Sequence, residues 1–248
     1  MCDFNYDQLQ GIDQNGIKDL NRIEILKIND NPLINDVSHL SSTPVELYCN
    51  GKSAIDQKAI EKLTKLQKLS VSNNHKIYDV NFLADSLLSL NCSMSSLNQV
   101  GISRLYKLKT MIAYSNKNIT DVNHLSRSLL ILDCGCDCGI DQKGIKNLTI
   151  LRELDASDNK KIKDVNHLVK SLCVLNCGRE CGINQKGIQS LTVLKNLTTN
   201  NNNPENIIED GKLSSFMFLI EDYLTNKGYF KEPKDAEIID AINVSELV

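Results

Sequence analysis

Apolar residues recur along the chain at an interval of 21 or 22 residues. A small or apolar residue stands two positions after each of them, except at Thr199 in the last unit. Because alternate residues of a strand face the same side, each anchor predicts one short strand with a buried side. The anchors are Leu26, Leu47, Leu69, Leu90, Met111, Leu132, Leu154, Leu175 and Leu197.

Two different phrases alternate between these anchors, so that the full period holds two units. One phrase, Ile-Asp-Gln-Lys-Gly-Ile-x-x-Leu in its fullest form, starts at Ile12, Ile55, Leu97, Ile140 and Ile183, in steps of 42 or 43 residues. The other, Asn-x-x-Ile-x-Asp-Val-x-x-Leu, starts at Asn31, Asn74, Asn116 and Asn159. One such unit cannot bury its own apolar face. The repeat therefore predicts a solenoid whose stacked units share a core.

The repeat resembles the leucine-rich-repeat family. The segment Leu148-x-x-Leu151-x-x-Leu154-x-Ala156-x-x-Asn159 and its copies carry the resemblance. The units with this asparagine, here called Asn-type units, resemble the short intracellular class of phosphatase-regulator-like proteins. The alternate units, here called Cys-type units, resemble the cysteine-containing class of ubiquitin-ligase adaptors. The resemblance implies an α/β solenoid, a right-handed superhelix with a parallel concave sheet of about nine strands.

The pattern divides the chain into three regions. We expect an N-terminal cap over residues 1–11, the solenoid over 12–202, and a C-terminal helical cap and tail over 203–248. Apolar residues on one helical stripe predict a capping helix within 212–227. The final residues, from about 236, are compatible with a second short helix or with a frayed tail.

Two sets of residues are predicted to support the fold. The resemblance implies that an asparagine after the strand bonds the backbone of neighbouring turns, at Asn31, Asn74, Asn116, Asn159 and Asn202. In the Cys-type units an inward column of free thiols acts as small hydrophobic groups, at Cys49, Cys92, Cys134 and Cys177. These units lack the asparagine, and buried Cys138 and Cys181, with Ser53 and Ser96 in earlier units, are candidates to fill its place.

The composition argues against some classes of function. The chain has 28 basic and 31 acidic residues and a net charge of -3, which gives no basic excess for binding nucleic acid. We find no secretory signal and no apolar run of the ~18 residues needed to cross a membrane. The nine cysteines are therefore expected as free thiols in a reducing compartment, and we predict a cytoplasmic monomer.

The sequence gives little support for chemistry at a metal or a catalytic centre. The spacings Cys134-x-x-x-Cys138 and Cys177-x-x-x-Cys181 suggest ligand pairs, but they lie two units, ~10 Å, apart. Zn–S bonds of ~2.3 Å cannot bridge that gap. His39, His124 and His167 recur with the repeat, whereas a catalytic residue should be singular. We therefore predict no enzyme activity, no metal and no cofactor.

The concave face remains as the candidate binding surface. Residues one and three positions after each anchor lie on it, and they vary between units. A protein-interaction module is the favoured hypothesis. The alternatives are a substrate adaptor of a ubiquitin ligase, a regulatory subunit of an enzyme such as a phosphatase, or a sheet face that is merely solvated. The candidate partner-binding residues are Tyr48, Asn91, Ile112, Tyr114, Asp133 and Asp155.

Overall fold

The structure is a computed structural model that describes residues 11–199 and 238–240. Each of nine three-residue strands has a predicted anchor as its middle residue, and a tenth strand is formed by the C-terminal region. Their bounds are β1 (Ile25–Lys27), β2 (Glu46–Tyr48), β3 (Lys68–Ser70), β4 (Ser89–Asn91), β5 (Thr110–Ile112), β6 (Ile131–Asp133), β7 (Glu153–Asp155), β8 (Val174–Asn176), β9 (Asn196–Thr198) and β10 (Ile238–Asp240).

All strands form one parallel sheet, in the order β10-β1-β2-β3-β4-β5-β6-β7-β8-β9. The anchors pair in register, so that Leu154 lies between Leu132 and Leu175. The side chains of these three anchors are fully buried. The predicted apolar spine and the parallel solenoid sheet are therefore confirmed, with one strand more than the anchors indicate.

The tenth strand lies in the predicted tail. It pairs in parallel with β1, where Leu26 is the register partner of Ile239. Neither a second helix nor a frayed end therefore describes residues 238–240. The predicted helix within 212–227, the cap over residues 1–10 and Asn202 lie outside the described residues.

The return path on the outer side is helical. Its form alternates with the unit type, except after β4, where a Cys-type unit is followed by a 3₁₀ helix. Short α-helices are α1 (Gln14–Ile17), α2 (Gln57–Ile60), α3 (Gln142–Ile145) and α4 (Gln185–Ile188), and the last three follow Cys-type strands. Asp13, Asp56, Asp141 and Asn184 cap them by accepting bonds from backbone N–H groups. The remaining turns are 3₁₀ helices, at Ser38–Leu40, Asn81–Leu83, Val100–Ile102, Asn123–Leu125 and Asn166–Leu168.

Glycine on this path allows close contact between neighbouring units. The N–H of Val122 donates to the carbonyl of Gly144 at 3.0 Å. A Cβ added to Gly144 would lie 2.2 Å from the carbonyl oxygen of Thr120. Ala59 stands at the equivalent place in an earlier unit, and within residues 11–199 no corresponding bond joins Val37 to it.

The asparagines of the Asn-type units bond the preceding unit. Nδ2 of Asn116 donates to the carbonyl oxygens of Cys92 at 2.9 Å and Leu97 at 3.1 Å. Its Oδ1 accepts from the N–H of Asn118 at 3.0 Å. Asn74 and Asn159 repeat this pattern, and Asn31 donates to the carbonyl of Ile12. Each amide thereby holds three backbone groups that would otherwise be buried without partners.

A glutamine of the Ile-Asp-Gln phrase makes the reverse connection, to the next unit. Nε2 of Gln99 donates to the carbonyl of Asp121, and its Oε1 accepts from the N–H groups of Thr120 and Asp121. The other members of this row are Gln14, Gln57 and Gln142. We did not predict this role, because the spacing gives no sign that the side chain reaches the following unit.

The Cys-type units close the same turn without an amide. Cys138 is fully buried, and Sγ of Cys181 accepts from the N–H of Ile183 at 3.5 Å. In the β4 unit the prediction of Ser96 was wrong. Ser95 is the buried residue there, and its Oγ donates to the carbonyl of Cys92 at 2.9 Å. The reason is that this turn is one residue shorter.

Candidate protein-binding face

The six predicted partner-binding residues all lie on the concave face, half-buried between core and solvent. In the row that follows the anchors, Asn91, Ile112, Asp133 and Asp155 are neighbours on β4 to β7. Tyr48 lies in the same row on β2, two strands from Asn91. The structure therefore brings four of the six together, with Tyr114 two residues beyond Ile112, and leaves Tyr48 apart.

A further row of this face was missed by the sequence analysis. The residue before each anchor also points away from the core, because side chains alternate along a strand. This row adds the charged residues Glu46, Lys68 and Glu153. It also adds Thr110, which is 1% exposed and whose hydroxyl has no hydrogen-bond partner. The period of two along each strand would have been a sufficient signal for this row.

Positive charge and an aromatic ring occur together at the β1–β3 end of the face. Nζ of Lys27 lies 5.8 Å and Nζ of Lys68 5.3 Å from the ring centre of Tyr48. The Tyr48 hydroxyl donates to a Glu46 carboxylate oxygen at 2.8 Å, and Lys68 lies 3.9 Å from the same oxygen. These four residues, here called the basic cluster, contact one another through the two cation–π contacts, the hydrogen bond and the ion pair.

Negative charge collects on β6 and β7, in Asp133, Glu153 and Asp155, here called the acidic cluster. Asp133 and Asp155 are register partners on adjacent strands. Burial, and secondly the charge of Asp155, raise the pKa of Asp133 to about 7. Burial also raises the pKa of Glu153. The β1–β3 part and the β6–β7 part of the concave face thus carry opposite charge.

Cys136 lies at the turn edge of this face, beside Tyr114. A hydrogen bond with the Ser115 side chain is the main cause that lowers the pKa of the Cys136 thiol. The interaction with Cys136 in turn raises the pKa of Tyr114. By contrast, burial raises the pKa of Cys49 and Cys177 to about 12. Within residues 11–199, Cys136 is therefore the thiol whose surroundings favour reaction.

The repeated histidines and aspartates contact backbone. Nε2 of His124 lies 3.2 Å from the carbonyl oxygen of Ile102, and His39 and His167 make the same contact. Asp121 accepts from the N–H of Asn123 in the turn at 2.7 Å. Within residues 11–199 no three His, Cys, Asp or Glu side chains are grouped so that they could hold a metal ion.

The three most exposed large apolar residues within 11–199 lie on the outer side, and the sequence analysis did not single them out. Val100 is 76% exposed, Tyr106 62% and Tyr78 57%. At the same places in the other units stand polar residues, such as Lys143 for Val100. Tyr106 packs edge-on against His124, with ring centres 6.2 Å apart. These three residues, the outer patch, give a second exposed surface that departs from the repeat.

Three features define the architecture. Each unit contributes one parallel strand, a spine of leucines is buried, and asparagines bond the preceding turn. The chain has the leucine-rich-repeat fold. This fold is typical of modules that bind other proteins on an extended concave surface. Among the helices of the described residues, none is long and apolar enough to span a membrane.

Some solved structures are similar to this chain, at low sequence identity. No family model and no curated protein matches the chain. A similar solved structure is an internalin, inlF, from Listeria monocytogenes, with 19% identity, TM-score 0.47, and coverage of 76% of this chain and 64% of that one. Internalin C2 from the same organism has 22% identity, TM-score 0.46 and 77% coverage of each chain. The functional domain of InlJ, which includes a cysteine ladder, has 21% identity, TM-score 0.43, and coverage of 75% and 50%.

Proposed function

We propose that this leucine-rich-repeat chain binds a protein partner on its concave face and does not catalyse a reaction. The observation that carries the proposal is the contrast between regular and irregular rows. The leucine spine, the asparagines and the glutamines repeat from unit to unit. The solvent-facing row changes from Tyr48 through Ile112 to Asp155. Variation on a rigid scaffold is expected of a surface that fits one partner.

The centre of the face supports the same proposal. Ile112 and Tyr114 lie on one strand and its following turn, between polar residues of neighbouring strands. Large apolar and aromatic side chains in a partly buried position are the residues that most often dominate binding energy at protein interfaces. The partner-binding residues that we propose are Tyr48, Asn91, Ile112, Tyr114, Asp133 and Asp155.

The thiols support a reducing compartment. The eight cysteines within the described residues are all free, and five of them are buried. Disulfides are rare in the cytosol, where thiols stay reduced. We therefore propose a cytoplasmic location for this chain. We also propose that it acts as a monomer. No observation on the described residues favours the ligase-adaptor or the phosphatase-regulator alternative over a general interaction module.

Affinity capture from native lysate followed by mass spectrometry tests the proposal. We expect that the double variant Ile112→Ala/Tyr114→Ala loses at least one partner that the wild-type chain captures. The matched control is Val100→Ala/Tyr106→Ala, which removes apolar side chains from the outer patch. Loss with the control variant and full capture with the concave variant would contradict the surface assignment.

A further inference from the structure

The C-terminal strand β10 lies far along the chain from the strand with which it pairs. It pairs in parallel with β1, whereas β9, the described strand before it in sequence, lies at the opposite end of the sheet. Every other neighbouring pair, from β1–β2 to β8–β9, joins consecutive strands of the solenoid. Among the described strands, only β10 therefore meets its neighbour without a single solenoid turn between them.

The outer edge of β1 is built to receive a preceding strand. At the β1–β2 junction the N–H of Ile28 donates to the carbonyl of Tyr48 at 2.8 Å, and the N–H of Glu46 donates to the carbonyl of Glu24 at 3.0 Å. The same two bonds recur at every junction up to β8–β9, so each strand bonds its predecessor along one edge and its successor along the other. Before β1, residues 11–24 contain the helix α1 but no strand. The repeat therefore supplies no predecessor for β1, and an open sheet edge is a template for strand addition.

The tail carries a copy of the strand phrase of the solenoid. Ile239 has the register position of an anchor, opposite Leu26 of β1. The segment Ile239-Asp240-Ala241 matches Leu154-Asp155-Ala156 of the β7 unit, with an apolar residue, an aspartate and an alanine in the same order. The chain thus presents a repeat-like strand at the one edge of the sheet where the repeat lacks a preceding unit.

The length of the intervening chain decides how firmly this strand belongs to its own molecule. Residues 200–237 join β9 to β10, which lie nine strand steps apart, or ~43 Å along the sheet. An extended chain covers ~3.3 Å per residue, so this segment is long enough to bridge that distance. A tether of this length holds the strand at an effective concentration on the order of 1 mM. At micromolar protein concentration the strand therefore occupies the edge of its own chain, although the tether does not make that pairing permanent.

We infer that the outer edge of β1 is a strand-acceptor site, and that the C-terminal strand of a second copy of this chain binds there when the chain's own β10 is displaced. Main-chain hydrogen bonds in the parallel register of Leu26 with Ile239 provide the recognition. In the intact chain β10 occupies this edge and prevents two solenoids from pairing through it. The edge is separate from the concave face, so the inference does not rest on the proposed partner-binding residues.

Binding of a fluorescent peptide of residues 234–245 to full-length chains, followed by anisotropy, tests the inference. The variant Ile239→Pro removes a backbone N–H from β10 and should release the strand from the edge. We expect the peptide to bind this variant on the order of ten-fold more tightly than the wild type, because the tethered strand no longer competes. The matched control Ser245→Pro places a proline in the tail outside residues 238–240 and should bind the peptide as the wild type does. A peptide that itself carries Ile239→Pro should bind none of the chains.

Hydrogen exchange gives a second measurement on the same full-length chains. The β1 amides of Ile239→Pro should exchange on the order of ten-fold faster than those of the wild type, and excess peptide should slow them again. Unchanged exchange in β5 to β7 shows that the variant keeps its solenoid. Light scattering should find Ile239→Pro associated at concentrations where the wild type is a monomer. Peptide binding that is equal in variant and wild type, or absent from both, would overturn the inference, as would β1 exchange that Ile239→Pro does not change.

Discussion

Asn-type and Cys-type units close the same turn with different atoms. In an Asn-type unit one amide, such as that of Asn116, bonds three backbone groups. In a Cys-type unit a thiol or hydroxyl, such as that of Ser95 or Cys138, occupies the place and makes fewer bonds. The difference indicates that the Asn-type turn holds the pair of units together. The Cys-type turn mainly fills space.

The largest expected effect follows from removing one amide. Asn116→Ala leaves two carbonyls and one N–H without their partner, and should lower the free energy of unfolding by about 3 kcal/mol. Ser95→Ala, in the adjacent Cys-type unit, should cost about 1 kcal/mol. Urea unfolding followed by circular dichroism measures both. Equal losses would show that the two turns contribute alike.

A smaller loss is expected where the two unit types touch on the outer side. Gly144→Ala would place a Cβ against the Thr120 carbonyl and should cost about 2 kcal/mol by overpacking. The chain offers its own control at Ala59, the equivalent position. Ala59→Gly should change stability by less than about 1 kcal/mol. Thermal unfolding of both variants measures the difference, and tolerance of Gly144→Ala would contradict the close-contact argument.

The two unit types should also respond to pH in opposite directions. Asp133, in a Cys-type unit, has its pKa raised to about 7, so the fold binds its proton more tightly than the unfolded chain. This stabilisation is complete below the unfolded pKa of ~4 and is lost as pH rises towards 7. Asp133→Asn should therefore be more stable than the wild type at pH 8, and urea unfolding should show that the difference vanishes near pH 4.

Histidines of the Asn-type units give stability a pH dependence opposite to that of Asp133. Burial lowers the pKa of His124 and of His167. Their contribution is present above the unfolded pKa of ~6.5 and is lost as pH falls below it. In the variant Asp133→Asn, which lacks the opposing carboxylate, unfolding should therefore become easier as pH falls below about 6.5. A flat profile over that range, measured by urea midpoints, would contradict this assignment.

The smallest effect on stability, but a clear chemical one, is expected at the thiols. Iodoacetamide should modify Cys136 on the order of 100-fold faster than Cys134, because the Cys136 pKa is lowered and burial raises the Cys134 pKa. Peptide mass spectrometry after brief alkylation measures the ratio. Cys136→Ser is the control, since it should remove the fast product without changing the unfolding midpoint. Comparable rates would show that the Cys-type turn does not protect its inward thiol.

The leucine spine and the parallel sheet could be predicted because each follows from a local period of apolar residues. The repeated asparagines could be placed because the resemblance assigns them a role. Three features were not predicted, each for a physical reason. Gln99 acts across a unit boundary, β10 joins distant parts of the chain, and the outer patch at Val100 depends on exposure that sequence alone does not give.

The binding face was predicted only in part. The row after each anchor was assigned correctly to the concave side, but the row before it, with Glu153, was omitted. The anchor spacing already placed Asp133 and Asp155 on neighbouring strands of the concave face, and the strand register agrees. The sequence did not give their burial, which raises the pKa of Asp133. Which residues of this face contact a partner remains a prediction.

The asparagine and glutamine rows have a consequence for how such a chain can change its length. Each Asn-type turn reaches back to a Cys-type neighbour, and each Cys-type glutamine reaches forward to an Asn-type one. Deleting a single unit would set two turns of one kind side by side and leave unmatched amides. Loss or duplication of two adjacent units preserves every junction. The segment that can be lost or duplicated is therefore the pair of one Asn-type and one Cys-type unit. Variants shortened by one such pair should still stack.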